Sequence, residues 1–219
     1  MTGNQTRTPH QRAGQARTRA QAQARTRELV LQAAEKLFLA KGLHATTVAE
    51  IAAAAGRTQG SIYGNFDSKE ALCWAALERR YQRMFAELET RLADCDGLAD
   101  KLATVAQWWR ANSSDDALTL LVAEFAVAAR RDPERHPIVT NAFTLVRDTF
   151  GSIFAEHFEP VDLNGNGLVD VATLGVFSTG IGLAVGQAVS MSDADMSTNV
   201  LSETLSLWVE RLETPKSTT

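Results

Sequence analysis

Apolar residues recur at three- and four-residue spacing along most of this 219-residue chain. One such stripe runs from Leu29 to Phe38, and a longer one runs from Trp74 to Leu92. No segment of useful length alternates between apolar and polar residues, as a half-buried strand would. The pattern therefore predicts an all-α protein with roughly nine helices and no fixed-period repeat.

The charges are divided unevenly along the chain. Residues 1–70 hold 10 Lys/Arg and 5 Asp/Glu, a net of +5, whereas residues 71–219 hold 12 Lys/Arg and 21 Asp/Glu, a net of −9. A basic first third on an acidic remainder indicates that the N-terminal part meets a polyanion such as nucleic acid. Ordinary scatter of charge is the alternative.

The first 27 residues contain six arginines and no acidic residue. Such a composition has almost nothing to bury, so we expect residues 1–24 to form a basic arm that is disordered when alone. This arm either contacts nucleic acid or only keeps the protein in solution. No signal peptide is expected, and Cys73 and Cys95 have no metal-ligand or disulfide spacing. We therefore expect reduced thiols and a cytoplasmic protein.

A short polar segment, GRTQGSIYGNF (56–66), follows a helix rich in alanine. Thr46 or Thr47 can cap that helix, and a glutamate three residues after Thr47 completes a capping box. Counting from the first helical residue, Ala52 falls at the fifth position, where two helices press together. Gly56 falls at the ninth, where the turn favours a positive φ angle. This spacing is typical of a helix-turn-helix.

The wider segment TTVAEIAAAAGRTQGSIYGNFDSKEAL (Thr46–Leu72) closely resembles the DNA-binding signature of TetR-type transcriptional regulators. The resemblance covers residues 28 to 72. It implies a three-helix helix-turn-helix DNA-binding domain over residues 25–70, followed by a helical ligand-binding and dimerisation domain over residues 71–219. It also implies a homodimeric repressor, without enzyme activity or cofactor, that binds a palindromic operator in double-stranded DNA and is released by a small-molecule effector.

Carried over to the matching positions, the resemblance implies DNA contacts on and around the second helix of the motif. Gln59 can form two hydrogen bonds with adenine, and the hydroxyl of Tyr63 can reach a phosphate. Gly60 permits close approach, while Ile62 and Phe66 turn inward. The expected DNA-binding residues are Thr47, Arg57, Thr58, Gln59, Gly60, Ser61, Tyr63, Asn65 and Lys69.

Two positions depart from the family's usual pattern. Arg57 stands where a small apolar residue is usual, and Gly64-Asn65 stands where an aromatic or histidine pair is frequent. The affinity and sequence preference of the family are therefore not carried over. The alternative for the whole segment is a helix hairpin that only packs against the core and does not bind DNA. This alternative does not explain why Thr58, Gln59 and Ser61 form a polar face.

The stretch DLNGNGLVDVAT (162–173) resembles a calcium-binding loop at several positions. Its twelfth residue is Thr173, which lacks the bidentate carboxylate that such a loop needs. Asn166-Gly167 is also a common turn pair. We predict a turn rather than a metal site.

No charged residue occurs among the 22 residues between Asp170 and Asp193. The length would suit a membrane span, but hydroxyl and amide side chains interrupt the segment and both flanks are acidic. In a soluble protein, a helix that is apolar nearly all round is buried, either within its domain or against a partner. The family resemblance implies a dimer interface, for which we expect Gly175, Gly182, Gly186 and Trp208.

Aromatic residues in the middle helices are candidates for a largely apolar effector pocket, although each of them can equally fill the core. The expected ligand-binding residues are Trp108, Trp109, Phe125, Phe143, Arg147, Phe150 and Phe177. Two rival functions remain, a helical small-molecule carrier without DNA binding and an all-α enzyme. The enzyme is disfavoured because the four histidines occur singly, without metal-ligand pairing or a nucleophile motif.

Overall fold

The structure is a computed structural model that describes residues 9–130, 144, 148, 150–153, 156–158, 162–163 and 166–213. The chain divides into two compact units, Met1–Ala76 and Leu77–Thr219. The described residues form helices, their connections and one short hairpin, which confirms the all-α prediction.

The elements of the described residues have the following bounds. The helices are α1 (Pro9–Ala45), α2 (Val48–Ala55), α3 (Gln59–Tyr63), α4 (Lys69–Ala93), α5 (Leu98–Ser113), α6 (Asp116–Arg130), α7 (Leu168–Ala188) and α8 (Ala194–Glu213), and the strands are β1 (Asp162–Leu163) and β2 (Asn166–Gly167). Most of the helix predicted over Ile138–Phe158 lies outside the described residues. Residues 150–153 of that range are described, and they are helical.

The core of the first unit is built on the apolar stripe of α1. Val30 and Phe38 are buried on that stripe, and α2 packs against it through Ile51 and Ala52. Ile62 of α3 is also buried, so residues 56–66, which we call the recognition segment, are held to the core as the sequence predicts. Burying a large apolar side chain away from water stabilises the unit by about 1.5–3 kcal/mol.

Helix α1 begins at Pro9, well before the start near Ala24 that the apolar pattern predicts. Of the 19 residues from 9 to 27, 14 are Ala, Gln or Arg, which have high helix propensity. Proline also suits the first position of a helix. Because the buried stripe already nucleates α1, each added residue gains a hydrogen bond without a new nucleation cost.

The regular helix is interrupted at Gly42, whose φ of 81° and ψ of 172° are not helical. The sequence places the end of the first helix at this glycine. The hydroxyl of Thr46, which is fully buried, donates a hydrogen bond to the Gly42 carbonyl at 2.8 Å, and the Leu37 carbonyl lies 3.2 Å away. Thr46 therefore closes the α1–α2 connection, and Thr47 caps α2.

The hairpin in the second unit lies where the sequence predicts a turn. Strand β1 pairs with β2 in antiparallel register, with Asp162 opposite Gly167 and Leu163 opposite Asn166. Asn164 and Gly165, which fall between the strands, lie outside the described residues. Within the described part of the chain, no group of three or more His, Cys, Asp or Glu side chains is placed to hold a metal ion.

The core of the second unit is a cluster drawn from α4, α5, α7, α8 and residues 150–153. Its centre is aromatic, with the rings of Phe85 and Trp108 5.3 Å apart and Tyr81 stacked on Phe85 at 6.5 Å. Burial raises the pKa of Tyr81 to about 12, so its phenol stays protonated at neutral pH. The buried members are Phe85, Leu88, Val105, Trp108, Phe150, Ile153, Val176, Leu201 and Leu205.

Two glycines of this unit differ in the space around them. A Cβ atom on Gly175 would lie 2.7–2.9 Å from three atoms of the Trp208 ring, whereas one on Gly151 would meet nothing within 4 Å. We expect Gly175→Ala to lower the free energy of unfolding by about 1–3 kcal/mol because the indole must move. Gly151→Ala, the matched control, should be neutral or stabilising. Urea denaturation measures both, and equal effects would contradict the packing seen at Gly175.

Candidate nucleic-acid interface

The turn between α2 and α3 has the geometry that the sequence predicts. Gly56 has φ 62° and ψ 40°, the left-handed conformation, and its amide donates toward the carbonyls of Ala52 and Ala53. A residue with a Cβ pays about 1–2 kcal/mol in this conformation. Glycine therefore allows α2 to end abruptly and α3 to cross it.

Helix α3 has one buried side and one open side. Thr58 is its N-cap, and the Thr58 hydroxyl accepts a hydrogen bond from the Ser61 amide at 3.2 Å. Ile62 and, just beyond the helix, Phe66 are 1% and 6% exposed, whereas Tyr63 is 53% exposed. On the open side, Thr58, Gln59, Gly60 and Tyr63 are exposed and Ser61 is half-buried. The open side is polar and uncharged, and it is suited to hydrogen bonding with base edges or phosphates.

The two later glycines of the segment have room for a side chain. A Cβ atom on Gly60 would meet nothing within 4 Å, and one on Gly64 would lie 3.4 Å from the Gly60 carbonyl, an ordinary contact. Neither residue has a positive φ. Packing within the chain therefore does not require glycine at position 60.

Three polar side chains of the predicted DNA-binding set contact backbone carbonyls of their own unit. Arg57 Nη1 donates to the Gly56 carbonyl at 3.0 Å, and Asn65 Nδ2 donates to the Ser61 carbonyl at 2.8 Å. Lys69 Nζ donates to the Thr46 carbonyl at 3.1 Å. These contacts give all three side chains a structural role within their own unit.

Lys69 lies at the junction where α1 ends and α2 begins. Its ammonium group also lies 3.4 Å from the carbonyl of His44, in the last turn of α1. A cation at the C-terminus of a helix interacts favourably with the helix dipole. The ammonium has three donors, so directing two of them at carbonyls leaves one for another acceptor.

The N-terminus of α2 already holds a carboxylate. The amide and the hydroxyl of Thr47 each donate to Glu50 Oε2 at 2.9 Å, which completes the predicted capping box. Lys41 Nζ lies 2.6 Å from Glu50 Oε1. These hydrogen bonds, first from Lys41 and then from Thr47, lower the pKa of Glu50 to about 2. A phosphate approaching Thr47 would therefore meet this ionised carboxylate.

The lowered pKa of Glu50 predicts a pH dependence of stability. Its stabilising contribution is complete above the unfolded-state pKa of about 4.3 and disappears as the pH falls toward the folded-state value of about 2. We expect wild type to melt at a higher temperature than Glu50→Gln at pH 7, and the difference to shrink between about pH 5 and pH 2. Calorimetry over this range measures it, and a constant difference would refute the role of ionisation.

One contact at the interface was not predicted from the sequence. The guanidinium of Arg27, on α1, lies 4.5 Å from the centroid of the Phe66 ring. Such a cation–π contact contributes about 0.5–1 kcal/mol when exposed. The 39-residue separation of Arg27 and Phe66 hides the contact from local pattern analysis.

The described residues of the predicted ligand-binding set are mostly part of the core. Trp108 and Phe125 are buried, and Trp108 Nε1 donates to the Met84 carbonyl at 3.1 Å. Trp109 is half-buried, with its Nε1 near Gly180. Phe150 belongs to the core cluster, and Phe177 packs against it. Phe143 and Arg147 lie outside the described residues.

A cavity of about 300 Å³ occurs elsewhere in the second unit. It contains none of the predicted ligand-binding residues, and it is lined by Glu89, Leu92, Ala93, Cys95, Lys101, Ser152, Ile153 and Glu156.

The predicted interface residues on α7 and α8 have different surroundings. Gly175 and Trp208 contact each other within one chain, and a Cβ on Gly186 would lie 3.2 Å from Met191 Cε. A Cβ on Gly182 would meet nothing within 4 Å. Gly182 lies among exposed apolar side chains, namely Val171, Leu174, Ile181, Val185 and Val189 on α7, Met191 after it, and Met196, Val200 and Leu207 on α8. We call this set the α7–α8 apolar face.

Helix α7 is, within the described ranges, the one helix that is long and apolar enough to cross a membrane by length and composition. The same test is passed by buried helices of soluble proteins. Among its residues, Leu168, Ala172 and Val176 are buried within the chain.

Known proteins resemble this chain most clearly within the first unit. Residues 30–76 match the family model described as bacterial regulatory proteins, tetR family. Over 53 residues, 24% of this chain, the sequence is 51% identical to the HTH-type transcriptional repressor BepR of Brucella suis, of which this match covers 25%. It is 32% identical over 119 residues to the HTH-type transcriptional repressor KstR2 of Rhodococcus jostii, covering 54% of this chain and 55% of the relative. These matches thus span between a quarter and about half of the curated relatives' length.

The fold of the chain is also found in solved structures. The transcriptional regulator FadR of Bacillus subtilis, determined in complex with stearoyl-CoA, superimposes with a TM-score of 0.64 at 18% sequence identity. The alignment covers 83% of this chain and 97% of FadR. At this identity the likeness concerns the fold.

Proposed function

We infer, because residues 30–76 match the model of the tetR family of bacterial regulatory proteins, that this chain belongs to that family and is a sequence-specific DNA-binding transcriptional regulator. In this proposal it is a homodimeric repressor that leaves a palindromic operator when a small-molecule effector binds. Residues 25–70 are the DNA-binding domain, and residues 71–219 are the ligand-binding and dimerisation domain.

The observation that carries the proposal is the open side of α3. Buried Ile62 and Phe66 anchor the segment, left-handed Gly56 sets its direction, and the exposed side presents Thr58 and Gln59. A helix-turn-helix reads bases with residues of this kind near the N-terminus of its second helix. The 51% identity to a named repressor lies in the same part of the chain and supports the same function.

The experiment is selection of bound duplexes from a random pool, followed by gel-shift titration. We expect enrichment of a palindrome whose half-sites are about one helical turn, or a multiple of it, apart. Gln59→Ala should relax the preference at one position of each half-site, at about 1–3 kcal/mol per lost base contact. A pool without enrichment, bound equally by wild type and Gln59→Ala, would contradict sequence reading and favour the carrier.

The α7–α8 apolar face supports the homodimer. Exposed apolar side chains that gather on one surface mark interaction sites. A Cβ on Gly182 would meet nothing within 4 Å beyond the adjoining backbone of α7, so the backbone of a second copy can approach closely there. Two-fold association through this face presents two copies of α3 to two half-sites.

The family fold supports a small-molecule effector for the second unit. FadR, which shares the fold, was determined with stearoyl-CoA bound, a ligand with a long apolar chain. We propose that a largely apolar effector binds beside Trp109 and Phe177 and moves the side chains packed around them. Both residues are only partly buried. Release from the operator requires that the effector bind the DNA-incompetent conformation more tightly.

A ligand screen tests the effector proposal directly. Acyl-CoA thioesters and apolar small molecules are added to the protein and to its operator complex, with melting temperature and gel shift as readouts. A true effector present at about 100 times its Kd should stabilise the protein by about 2.7 kcal/mol and release the operator. A ligand that stabilises the protein without releasing DNA would contradict the regulatory role of its site.

A further inference from the structure

We propose that residues 9–27 of α1 form a rigid, basic helical arm that binds the phosphate backbone of DNA beside the operator half-site. We call these residues the α1 arm. The proposal rests on the proposed DNA-binding function and adds to it a second contact surface, which contributes affinity rather than sequence preference.

The first support is charge. The α1 arm carries five arginines and no lysine, aspartate or glutamate, and the first acidic residue of the chain is Glu28. Duplex DNA presents one negative charge for about every 1.7 Å of its axis. Arginine can form paired hydrogen bonds with phosphate oxygens. The composition of the arm is therefore complementary to a phosphate backbone.

The second support is exposure. Residues 20–25 are all exposed in the structure. The apolar stripe that α1 buries in its own unit begins only at Val30. Residues 20–25 are thus a helical surface that their own chain leaves available to a partner.

The third support is the register of the arm relative to the recognition segment. Arg27 is fixed in direction because its guanidinium lies over the ring of Phe66, three residues after α3. At about 100° per residue, positions 12, 17 and 19 fall within about 80° of position 27 around the helix axis. Position 25 falls on the opposite side. Three arginine positions of the arm therefore share the side of α1 that faces the helix-turn-helix.

The helical form of the arm decides which part of DNA it can contact. Nineteen residues of helix extend about 28 Å, the length of about eight base pairs. An α-helix with side chains is about 10–12 Å wide, whereas the minor groove is about 6 Å wide. The arm therefore cannot insert into the minor groove as a helix. In the proposal it lies along the phosphates, where contacts from its arginines release counterions without reading bases.

The test measures how operator affinity depends on salt concentration. Each phosphate contact contributes about 0.9 to the slope of log K against log salt. We expect the Arg12→Gln, Arg17→Gln, Arg19→Gln triple variant to bind the operator more weakly and with a slope reduced by about 0.9 for each lost contact. The matched control Arg25→Gln should keep the wild-type slope. Melting temperatures should be unchanged because these positions lie outside the buried stripe.

Two further measurements test the helix and the flanking DNA. Ala22→Pro breaks the arm while keeping every charge, and we expect it to lower the slope as the triple variant does. Shortening the DNA on each side of the operator by eight base pairs should abolish the difference between wild type and the triple variant.

The outcomes separate the arm from the proposed function. Specific operator binding by wild type, with the same slope in the triple variant, overturns the arm and leaves operator reading intact. A slope that falls in the triple variant but not in Ala22→Pro overturns the rigid helix. The absence of specific binding by any form overturns the proposed function, and the arm with it.

Discussion

Val185→Glu is expected to convert the proposed homodimer into a folded monomer and to lower affinity for the proposed operator by about 100-fold. Val185 lies on the α7–α8 apolar face and is 38% exposed in the single chain, so a glutamate there is solvated in the monomer. In the dimer the same carboxylate is buried without a partner, at a cost on the order of 3 kcal/mol, and about 1.4 kcal/mol corresponds to a factor of ten. Sedimentation velocity and gel-shift titration measure the two effects.

Val127→Glu is the matched control for this prediction. Val127 lies on α6, outside the α7–α8 apolar face, and is 61% exposed. The same chemical change at this position should leave both the dimer and operator affinity at wild-type values. A dimer that survives Val185→Glu would contradict the assignment of the interface to this face.

Gly182→Leu tests the same interface by volume rather than by charge. Apart from its two chain neighbours and the adjoining backbone of α7, no atom of the same chain lies within 4 Å of a Cβ at this position, so the monomer accepts the larger side chain. A second copy that approaches the backbone at Gly182 is pushed away. We expect dissociation of the dimer with unchanged or higher monomer stability, since leucine has a higher helix propensity than glycine.

Gly60→Leu is expected to weaken operator binding by about 100-fold while leaving the fold intact. The position is exposed, has no positive φ, and offers a Cβ no contact within 4 Å. Replacing a helical glycine stabilises the free protein by about 0.5–1 kcal/mol. On DNA the leucine side chain holds α3 away from the base edges, and about 2.8 kcal/mol of lost binding corresponds to the 100-fold change. Filter binding and thermal denaturation separate the two effects.

Gly56→Ala is a control with the opposite expected effect on stability. Its left-handed conformation, φ 62°, strains any residue with a Cβ, so this variant should lose about 1–2 kcal/mol of stability. Gly60→Ala should gain stability and bind DNA with affinity between wild type and Gly60→Leu. Operator binding that is unaffected at position 60 would show that α3 does not approach DNA at that residue.

The helix-turn-helix was predictable because its determinants are close together in the chain. The capping box of Thr47 and Glu50 spans three residues, and the turn at Gly56 depends on one φ angle. The alternation of buried Ile62 with exposed Tyr63 follows from helical periodicity. Interactions between residues a few positions apart can be predicted from local sequence, and these three are present in the structure as predicted.

Helix α1 was only partly predictable. Its apolar stripe marks the buried half, but the α1 arm has no apolar stripe and its composition is typical of disorder. The structure extends the helix to Pro9 because propensity is sufficient once the buried half is formed. An apolar pattern predicts helices that are buried on one side. It does not predict a helical segment that forms only because it extends a helix that is already formed.

The sequence alone therefore determined that the chain is all-α, where the caps and turn of the recognition segment lie, and which side is buried in helices that carry an apolar stripe. The tertiary structure decided which distant residues meet. Lys69 donates to a carbonyl 23 residues away, and Arg27 reaches Phe66 across 39 residues. Gly175 and Gly182 look alike in sequence, yet one is covered by Trp208 and the other is open. The physical reason is that capping and periodicity act over three or four residues, whereas packing depends on which helix faces arrive at the same place.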